Sequence, residues 1–497
     1  MSTPLAIVGG GPAGMAAALE AADAGLACTI LDEAPLLGGQ IYRAAPHAFA
    51  HVDAAAAGRD HARGEAMRAD VAAASDRIDV RSGTSVVGIW ERELLWVSDE
   101  ASGSLDADQL ILATGSYDRP VPFPGWTLPG VLTAGGAQSL VKTMRVRPGH
   151  RALVAGTGPL LLVVANQLHK VGVEVVAVLE AGRPPLSPRA LAGVWGQREL
   201  LADAWRYVGG LRRAGIPLRF GHTVFEAHGT DAVDGATFGP VDRRTWRPLR
   251  DRAERVDVDL LVVGFGFVPN TALAALADCR MAYVHDVGGW VPERSALMET
   301  TASGVFAVGD GAGVAGALVA VDEGRVAGIT GAERAGALTR DEADRRRAAP
   351  LRRLRRMGGV RRLLDELSRI RPGLADLATP DTIACRCEEV ARAEVDHAMA
   401  EGARDLQAVK LLTRLGMGAC QGRNCGPSMG LHLAAALGVS PADVGRIRAR
   451  PPIKPVTIGM LANGDATWAL DGEGEPERTP DRATDTATNT ATNGRER

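Results

Sequence analysis

Four cysteines near the C-terminal end are the residues of this chain best suited to hold a metal group. Cys385 and Cys387 form a CxC pair, and a gap of 32 residues separates them from the CxxxxC pair of Cys420 and Cys425. Each iron of a [2Fe-2S] cluster takes two protein sulfurs, so four thiolates from two loops predict such a cluster. Four thiolates can also bind zinc, although paired CxxC knuckles are its usual pattern, and unmetallated thiols are the third interpretation.

A glycine-rich turn near the N-terminus predicts a first nucleotide site. The turn lies between an apolar run and an alanine-rich run, which is the strand–turn–helix context that the GxGxxG motif requires. Glu33 ends the second strand, where an acid can accept hydrogen bonds from ribose hydroxyls, and Asp32 is expected to point to the opposite face. The predicted binding residues are Gly9, Gly11, Pro12, Ala13, Gly14 and Glu33.

A second copy of this strand–turn–helix unit lies in the middle of the chain. Gly156 and Gly158 supply two of the three glycines, and Leu161 replaces the third, so looser helix–sheet packing is expected. Glu180 would repel a 2′-phosphate, which favours NAD or another adenosine nucleotide such as ATP over NADP. Gly264 is expected to end the strand that closes over this nucleotide; a vestigial site that binds nothing is the alternative.

Three further segments resemble parts of flavoproteins with two dinucleotide domains, and they predict FAD in the first site. Ile111–Gly115 resembles the "ATG" segment, and Gly304–Asp310 resembles the segment whose aspartate binds the ribityl chain. Gly38-Gly39-Gln40 resembles the loop beneath the isoalloxazine. The resemblance adds these residues to the predicted flavin site: Gly39, Gln40, Val86, Thr114, Gly115, Gly309 and Asp310.

Two familiar kinds of catalytic group are not found in the pattern. No CxxC or CxxxxC follows Gly38-Gly39 or lies in the second nucleotide unit, so the redox disulfide of thioredoxin- and glutathione-reductase-like enzymes is not expected. The histidines are isolated, and no base for amine or alcohol oxidation can be assigned. Cys28 lies in an apolar strand and is expected to be a core residue.

Length and composition place these sites in a multidomain protein. With 497 residues the chain is too long for one core, and its net charge of -3 gives no general attraction to nucleic acid. No signal peptide or apolar run of about 18 residues is found, so a cytoplasmic protein without a transmembrane segment is expected. The predicted fold class is α/β, with two Rossmann-like dinucleotide-binding domains and a small α-rich [2Fe-2S] domain.

The motifs divide the chain into predicted domains. The two nucleotide units and the two returning flavin segments give a discontinuous first domain, and the cysteines mark a separate one. The predicted ranges are 1–118 and 255–335 for the FAD-binding domain, 119–254 for the second dinucleotide domain, 336–378 for an arginine-rich linker, 379–445 for the cysteine module, 446–463 for a C-terminal extension, and 464–497 for a disordered tail.

Together these motifs resemble the α subunit of heteromeric, dye-linked amino-acid or imino-acid dehydrogenases. That group includes D-hydroxyproline and L-proline dehydrogenases, octopine and nopaline oxidases and hydrogen cyanide synthase. The resemblance runs from about Pro4 to Ala462, and its most particular segments are Gly38–Arg43, Arg119–Val131 and Arg450–Val456. The cysteine module is similar to bacterioferritin-associated ferredoxin-like [2Fe-2S] domains, through Gly416–Gly422 and Cys425-Gly426-Pro427.

This resemblance implies a relay of electrons. In the family, the amine is oxidised at FAD in a separate β subunit, and the α subunit passes the electrons on, sometimes with FMN at the subunit boundary. The expected partners are therefore a downstream electron acceptor and a FAD-dependent, amino-acid-oxidase-like β subunit. Two other hypotheses remain: a self-contained NADH-dependent reductase of a ferredoxin, quinone or dye, and an iron–sulfur docking module in which the flavin is incidental.

Overall fold

The computed structural model describes residues 2–43, 59–183 and 198–462. The predicted disordered tail, 464–497, lies outside the described residues.

The N-terminal segment builds the first Rossmann-like domain. The apolar run before the glycine turn forms a strand and the alanine-rich run forms a helix, as the sequence predicts. The elements are β1 (Ser2–Val8), α1 (Pro12–Asp23), β2 (Cys28–Leu31), α2 (Arg59–Ala73), β3 (Ile78–Arg81), β4 (Ser85–Trp90), β5 (Glu93–Val97), β6 (Ser102–Leu112) and β7 (Ser116–Asp118).

The chain then forms the second domain. Its sheet within the described residues is five-stranded and parallel, in the order β11-β10-β9-β15-β8, and an antiparallel sheet of β12, β13 and β14 packs beside it. The elements are β8 (Val131–Thr133), α3 (Ala134–Lys142), β9 (Arg151–Thr157), α4 (Leu160–Lys170), β10 (Glu174–Glu180), α5 (Arg198–Arg213), β11 (Leu218–Phe220), β12 (His222–His228), β13 (Gly235–Pro240), β14 (Glu254–Asp257), β15 (Leu260–Phe265) and β16 (Phe267–Pro269).

The structure corrects the predicted end of this domain at residue 254. β14 belongs to the antiparallel sheet, and β15 pairs with both β9 and β8, so the second domain continues to Phe265. The chain crosses back immediately afterwards, where β16 pairs with β7. A buried apolar strand such as β15 fits the parallel part of either sheet, so its composition alone does not fix the domain boundary.

The returning segment completes the first domain. β19 pairs with β6 and becomes the seventh described strand of a sheet whose main order is β3-β2-β1-β6-β5-β4. Val8, Leu31, Leu112 and Ala307 end their strands in register, so the turns that follow all meet at one edge of the sheet. The elements are α6 (Ala272–Leu276), β17 (Met281–Val284), β18 (Gly289–Pro292), β19 (Val305–Ala307) and α7 (Ala317–Arg334).

The arginine-dense stretch forms a helix, α8 (Arg340–Ser368), that packs against the first domain. Arg347 is 2% exposed and its guanidinium lies 2.6 Å from the Glu333 carboxylate of α7. Arg353 similarly binds Asp322, with a nitrogen–oxygen distance of 2.6 Å. The charged side chains of the predicted linker thus join it to the adjacent helix instead of only facing solvent.

The cysteine module, residues 379–445, has its own small core. The residues after it run back to the first domain, where Ile453 is buried among the side chains of the first sheet. The elements are β20 (Ile383–Cys385), β21 (Val390–Ala391), α9 (Arg392–Ala400), α10 (Leu406–Thr413), α11 (Gly426–Leu437) and α12 (Ile458–Ala462). Among the described residues, no helix is both long and apolar enough to cross a membrane.

We expect the contact between α1 and α7 to tolerate no added methyl group. A Cβ at Gly324 would lie 2.1 Å from the Ala13 carbonyl oxygen, so Gly324→Ala should lower the free energy of unfolding by about 1–3 kcal/mol. Gly358→Ala in α8 is the matched control, since a Cβ there meets nothing within 4 Å and alanine favours a helix. Urea unfolding of both variants measures the difference, and equal stabilities would contradict the prediction.

Candidate functional site

A large cavity lies between the two nucleotide-binding domains. Its volume is about 1940 Å³, above the range of about 300–1000 Å³ common for a pocket that holds one small ligand. Its lining includes the first glycine turn, the acids after β2, part of α3 and α4, and the loop that carries Cys420. The cavity can therefore accommodate an extended dinucleotide.

Of the three motif glycines in the first turn, two are required by close packing within the protein, and Gly11 is not. A Cβ at Gly9, where φ is +103°, would lie 2.4 Å from the Ala113 carbonyl oxygen, and one at Gly14 would lie 1.9 Å from that of Gly9. A Cβ at Gly11 would meet only Gly39, at 3.8 Å. Gly11 thus leaves open space in front of the first amides of α1, which is where a pyrophosphate binds in such folds.

The two acids after β2 are arranged differently from the expectation. Asp32 was expected on the opposite face, but both Asp32 and Glu33 line the cavity. Asp32 accepts hydrogen bonds from the backbone N–H groups of Gly10, at 2.5 Å, and Ala34, at 2.7 Å. Side chains alternate faces only within a strand, and β2 ends at Leu31, so the rule does not apply to these two residues.

The other predicted flavin residues are brought to the same cavity. Arg68 of α2 fixes the loop that contains Gly39 and Gln40. It donates hydrogen bonds to the backbone carbonyl oxygens of Leu37 and Tyr42, both at 2.9 Å. The Asp310 carboxylate accepts hydrogen bonds from the Ala315 and Gly316 N–H groups. Every predicted residue of the first site except Gly14 lines the cavity: Gly9, Gly11, Pro12, Ala13, Glu33, Gly39, Gln40, Val86, Thr114, Gly115, Gly309 and Asp310.

Sequence reasoning missed several cavity residues, among them Lys142, Asn270 and Lys454. Lys142 of the second domain donates a hydrogen bond to the Ile41 carbonyl oxygen at 3.0 Å. The backbone carbonyl oxygen of Asn270 accepts a hydrogen bond from the Thr114 hydroxyl at 2.6 Å. Lys454 reaches the cavity from the C-terminal extension. Of these three residues, only Lys454 lies in one of the segments that carry the family resemblance, Arg450–Val456, and nothing near it in sequence indicates a nucleotide site.

The second glycine turn is organised around its own acid. Glu180 accepts hydrogen bonds from the backbone N–H groups of Gly158, at 2.8 Å, and Gly182, at 2.9 Å. Burial raises the pKa of this carboxyl. Gly156, Gly158 and Glu180 are not part of the lining of the large cavity as the described residues define it. The carboxylate therefore occupies the Gly158 amide of the glycine turn, which differs from the predicted contact with a ribose.

A bulge in β10 explains why Glu180 does not lie where its distance in sequence from the first glycine predicts. The pairing of β10 with β9 shifts by one residue between Val175 and Ala177, so the strand contains one residue more than a regular one. Ala155 lies opposite Leu179, as Val8 lies opposite Leu31 in the first domain. In the strand register, Glu180 of the second domain is therefore equivalent to Asp32 of the first, and Ala181 is equivalent to Glu33.

Packing accounts for the remaining predicted residues of the second site. A Cβ at Gly156 would lie 1.9 Å from the Gly264 carbonyl oxygen, so the strands themselves require that glycine. Leu161, in place of the third glycine, is fully buried, and its side chain lies 3.0 Å from the position of a Cβ on Gly264. The expected loosening is thus absent, because Leu161 fills the space above Gly264.

The four clustered cysteines come together as two pairs. The Cys425 thiol donates a hydrogen bond to Cys385, which lowers the pKa of Cys385 to about 5 and raises that of Cys425. Cys387 and Cys420 form the second hydrogen-bonded pair, and burial raises the pKa of Cys387. In the described ranges, no group of three or more His, Cys, Asp or Glu side chains is arranged to hold a metal ion.

The remaining two cysteines belong to the core. Cys28 and Cys279 are both buried, and burial raises the pKa of the Cys28 thiol to about 12. All six cysteines lie in the described ranges and are free thiols. This agrees with a packing role for Cys28, because a thiol with so high a pKa is a poor nucleophile at neutral pH.

One loop of the cysteine module reaches the large cavity directly. Cys420, Arg423 and Asn424 contribute to its lining. Tyr117, on the crossing strand β7, lines both this cavity and a smaller one of about 130 Å³. Gln421 and Gly422 of the same cysteine loop also line the smaller cavity. Burial raises the pKa of Tyr117 to about 12, so its hydroxyl stays neutral at physiological pH.

Comparison with known families gives two matches. Residues 3–336 match the family described as Pyridine nucleotide-disulphide oxidoreductase. Residues 384–465 match the Sarcosine oxidase A3 domain. The first match covers both nucleotide-binding domains, and the second covers the four clustered cysteines and the C-terminal extension.

Individual relatives extend over nearly the whole chain. Hydrogen cyanide synthase subunit HcnB from Pseudomonas aeruginosa is 37% identical over 460 residues, which cover 92% of this chain and 98% of the relative. An opine oxidase subunit from Agrobacterium tumefaciens is 32% identical over 477 residues, covering 92% and 91%. The crystal structure of L-proline dehydrogenase from P. horikoshii has the same fold, with a TM-score of 0.69, 21% identity, and coverage of 93% of this chain and 79% of that one.

We expect a side chain at Gly11 to block the ligand and spare the fold. Gly11→Val should reduce the affinity for FAD by about tenfold or more, since about 1.4 kcal/mol is lost for each factor of ten, while the melting temperature changes little because the space is open. Absorbance of bound flavin and thermal unfolding measure the two effects. Gly14→Val is the control, which should unfold the domain; unchanged flavin binding in Gly11→Val would contradict the assignment.

Proposed function

Because the chain belongs to the pyridine nucleotide-disulphide oxidoreductase family, we propose that it is the electron-transferring subunit of a heteromeric dehydrogenase that oxidises an amino or imino acid. Two relatives of similar length support this proposal, since each is named as a subunit: one of hydrogen cyanide synthase and one of opine oxidase. The proposed donors are of the proline, hydroxyproline or opine type, and they are oxidised in a FAD-containing partner subunit.

One observation carries the proposal: a cysteine loop and a nucleotide site share a cavity. Cys420 lines the same cavity as Gly11 and Asp310, although these residues come from three distant parts of the chain. A redox group bound to the thiols and a flavin bound at the glycine turn would therefore be neighbours. Such proximity is required for electron transfer and is not required of two independent binding modules.

The residues of the first site fit FAD. The open space at Gly11 and the first amides of α1 would receive the pyrophosphate, and the acids after β2 would face the adenosine ribose. Asp310 would contact the ribityl chain, and the loop of Gly39 and Gln40 would lie beside the isoalloxazine. When bound, FAD supplies a centre that exchanges one or two electrons.

The second proposed redox group is a [2Fe-2S] cluster, which the four thiols of the cysteine module would hold. Each iron of such a cluster takes two sulfurs, and the structure provides the four sulfurs as two pairs. The Cys385 sulfur also accepts hydrogen bonds from the backbone N–H groups of Gly416, Glu388 and Cys387, which stabilise thiolate charge. When bound, the cluster exchanges single electrons, and its proposed ligands are Cys385, Cys387, Cys420 and Cys425.

The other proposed cofactors have less support in the structure. NAD or ATP at the second glycine turn would compete with Glu180 for the Gly158 amide. This arrangement disfavours the self-contained NADH-dependent reductase, which would require a site for the nicotinamide nucleotide. FMN at the boundary with the partner subunit stays a prediction, as do the predicted domain functions.

Anaerobic spectroscopy of the full chain, alone and co-expressed with its partner subunit, tests the relay. We expect proline, hydroxyproline or an opine to bleach the chain's flavin and cluster bands only when the partner is present. Rapid bleaching by NADH without the partner would contradict the relay and favour the reductase. Bleaching by an amino acid without the partner would also contradict it, because the donor site would then lie in this chain.

Substitution of Cys420 separates the thiols' role from folding. Cys420→Ser should remove the bound iron, about two atoms per chain, and slow dye reduction by about tenfold or more, equivalent to about 1.4 kcal/mol of barrier. Bound FAD should remain. Cys279→Ser is the matched control, because Cys279 is buried away from the cavity. Full electron transfer by iron-free Cys420→Ser would instead favour the docking-module hypothesis.

A further inference from the structure

The segment after the cysteine module joins that module to the first nucleotide site. We define residues 450–455 as the C-terminal strap. The Ile453 N–H donates a hydrogen bond to the Val87 carbonyl oxygen at 2.8 Å, which attaches the strap to β4 of the first domain. On its other side, Gln421 donates to the Pro452 carbonyl oxygen at 2.6 Å, and Arg423 donates to that of Ile453. The strap therefore contacts the cysteine loop and the first sheet simultaneously.

The end of the strap enters the large cavity. Ile453 and Lys454 both belong to its lining. The Lys454 ammonium forms an ion pair with the Glu33 carboxylate, and it also attracts the charge of Asp32. The side chains are 32% exposed for Lys454 and 54% for Glu33, so solvent or a ligand can still reach the pair.

Charge explains why the first site needs this lysine. Asp32 and Glu33 are adjacent carboxylates at the place where the sheet meets the nucleotide, and every dinucleotide brings a negative pyrophosphate. Like charges in a partly buried site repel one another strongly. The Lys454 ammonium beside Glu33 offsets the negative charge of one of the two carboxylates, and it holds the Glu33 side chain at the cavity wall. Burial lowers the pKa of Lys454, and the charge of the Asp32 carboxylate opposes that change.

We propose that the C-terminal strap is a wall of the first nucleotide site and that Lys454 is a positioning residue, which balances the acid pair and orients Glu33 for the adenosine end of an adenine dinucleotide. The proposal rests on the proposed function in taking FAD as that dinucleotide. It goes further by making nucleotide affinity depend on a residue beyond the cysteine module. The alternative is that Lys454 merely anchors the strap.

Binding to the full-length chain, freed of flavin, tests the proposal with two probes: FAD and ADP-ribose, which carries only the adenosine end and the pyrophosphate. We expect Lys454→Met to weaken both probes by about tenfold, or about 1.4 kcal/mol. Lys454→Arg should retain affinity, because it keeps the charge. Lys410→Met is the matched control, since Lys410 lies on α10 outside the cavity lining, and it should bind both probes as the unaltered chain does.

A double variant distinguishes positioning from anchoring. If Lys454 acts through Glu33, removing both charges in Glu33→Gln/Lys454→Met should recover part of the affinity lost in Lys454→Met. No recovery, together with a lower melting temperature and failure of Lys454→Arg, would overturn the proposal in favour of anchoring. Unchanged affinity in Lys454→Met would also overturn it.

The two probes separate this inference from the proposed function. Binding of ADP-ribose that weakens in Lys454→Met, with no binding of FAD, would support the role of Lys454 and contradict the flavin assignment. Binding of FAD with equal affinity by Lys454→Met and the unaltered chain would support the flavin assignment and overturn the role of Lys454. A chain that binds neither probe would overturn both.

Discussion

The close contact between α1 and α7 is the constraint on which the first site depends. A Cβ at Gly324 or Gly328 would lie 2.1 Å or 2.3 Å from a carbonyl oxygen of α1, so the two helices meet backbone to backbone. Gly309 also lies close to α1, because a Cβ there would lie 3.1 Å from the Cβ of Ala13. This packing places the glycine turn and the Asp310 loop, which are far apart in sequence, at one end of the cavity.

The second domain repeats the architecture of the first with different contacts at its glycine turn. The same register of parallel strands brings a glycine turn and an acid together at the sheet edge in both domains. In the second domain a bulge moves Glu180 into the position of Asp32, and its carboxylate binds the Gly158 amide. Leu161 fills the space above Gly264. The same fold therefore carries a different set of side-chain contacts at its two glycine turns.

The C-terminal part connects two sites that the chain encodes far apart. The cysteine loop and the strap contact each other through Gln421 and Arg423, and both line the cavity that begins at Gly11. The cysteine module and Lys454 therefore belong to one connected set of contacts.

The sequence by itself determined the repeated strand–turn–helix units, the grouping of the four cysteines, and a set of predicted first-site residues that the structure brings to one cavity. It could do so because each of these signals depends on residues close together in the chain: a glycine turn between a strand and a helix, or cysteines at short spacing. The relationship to subunits of oxidising enzymes also followed from the segments that the sequence displays.

Only the tertiary structure decided how distant segments meet. The β10 bulge reassigned Glu180, and the strand pairing moved β15 into the second domain. The ion pair of Lys454 with Glu33 joins the two ends of the chain. Strand register and packing across the cavity are set by contacts between residues that lie tens or hundreds of positions apart, and no local pattern of residue types specifies those contacts.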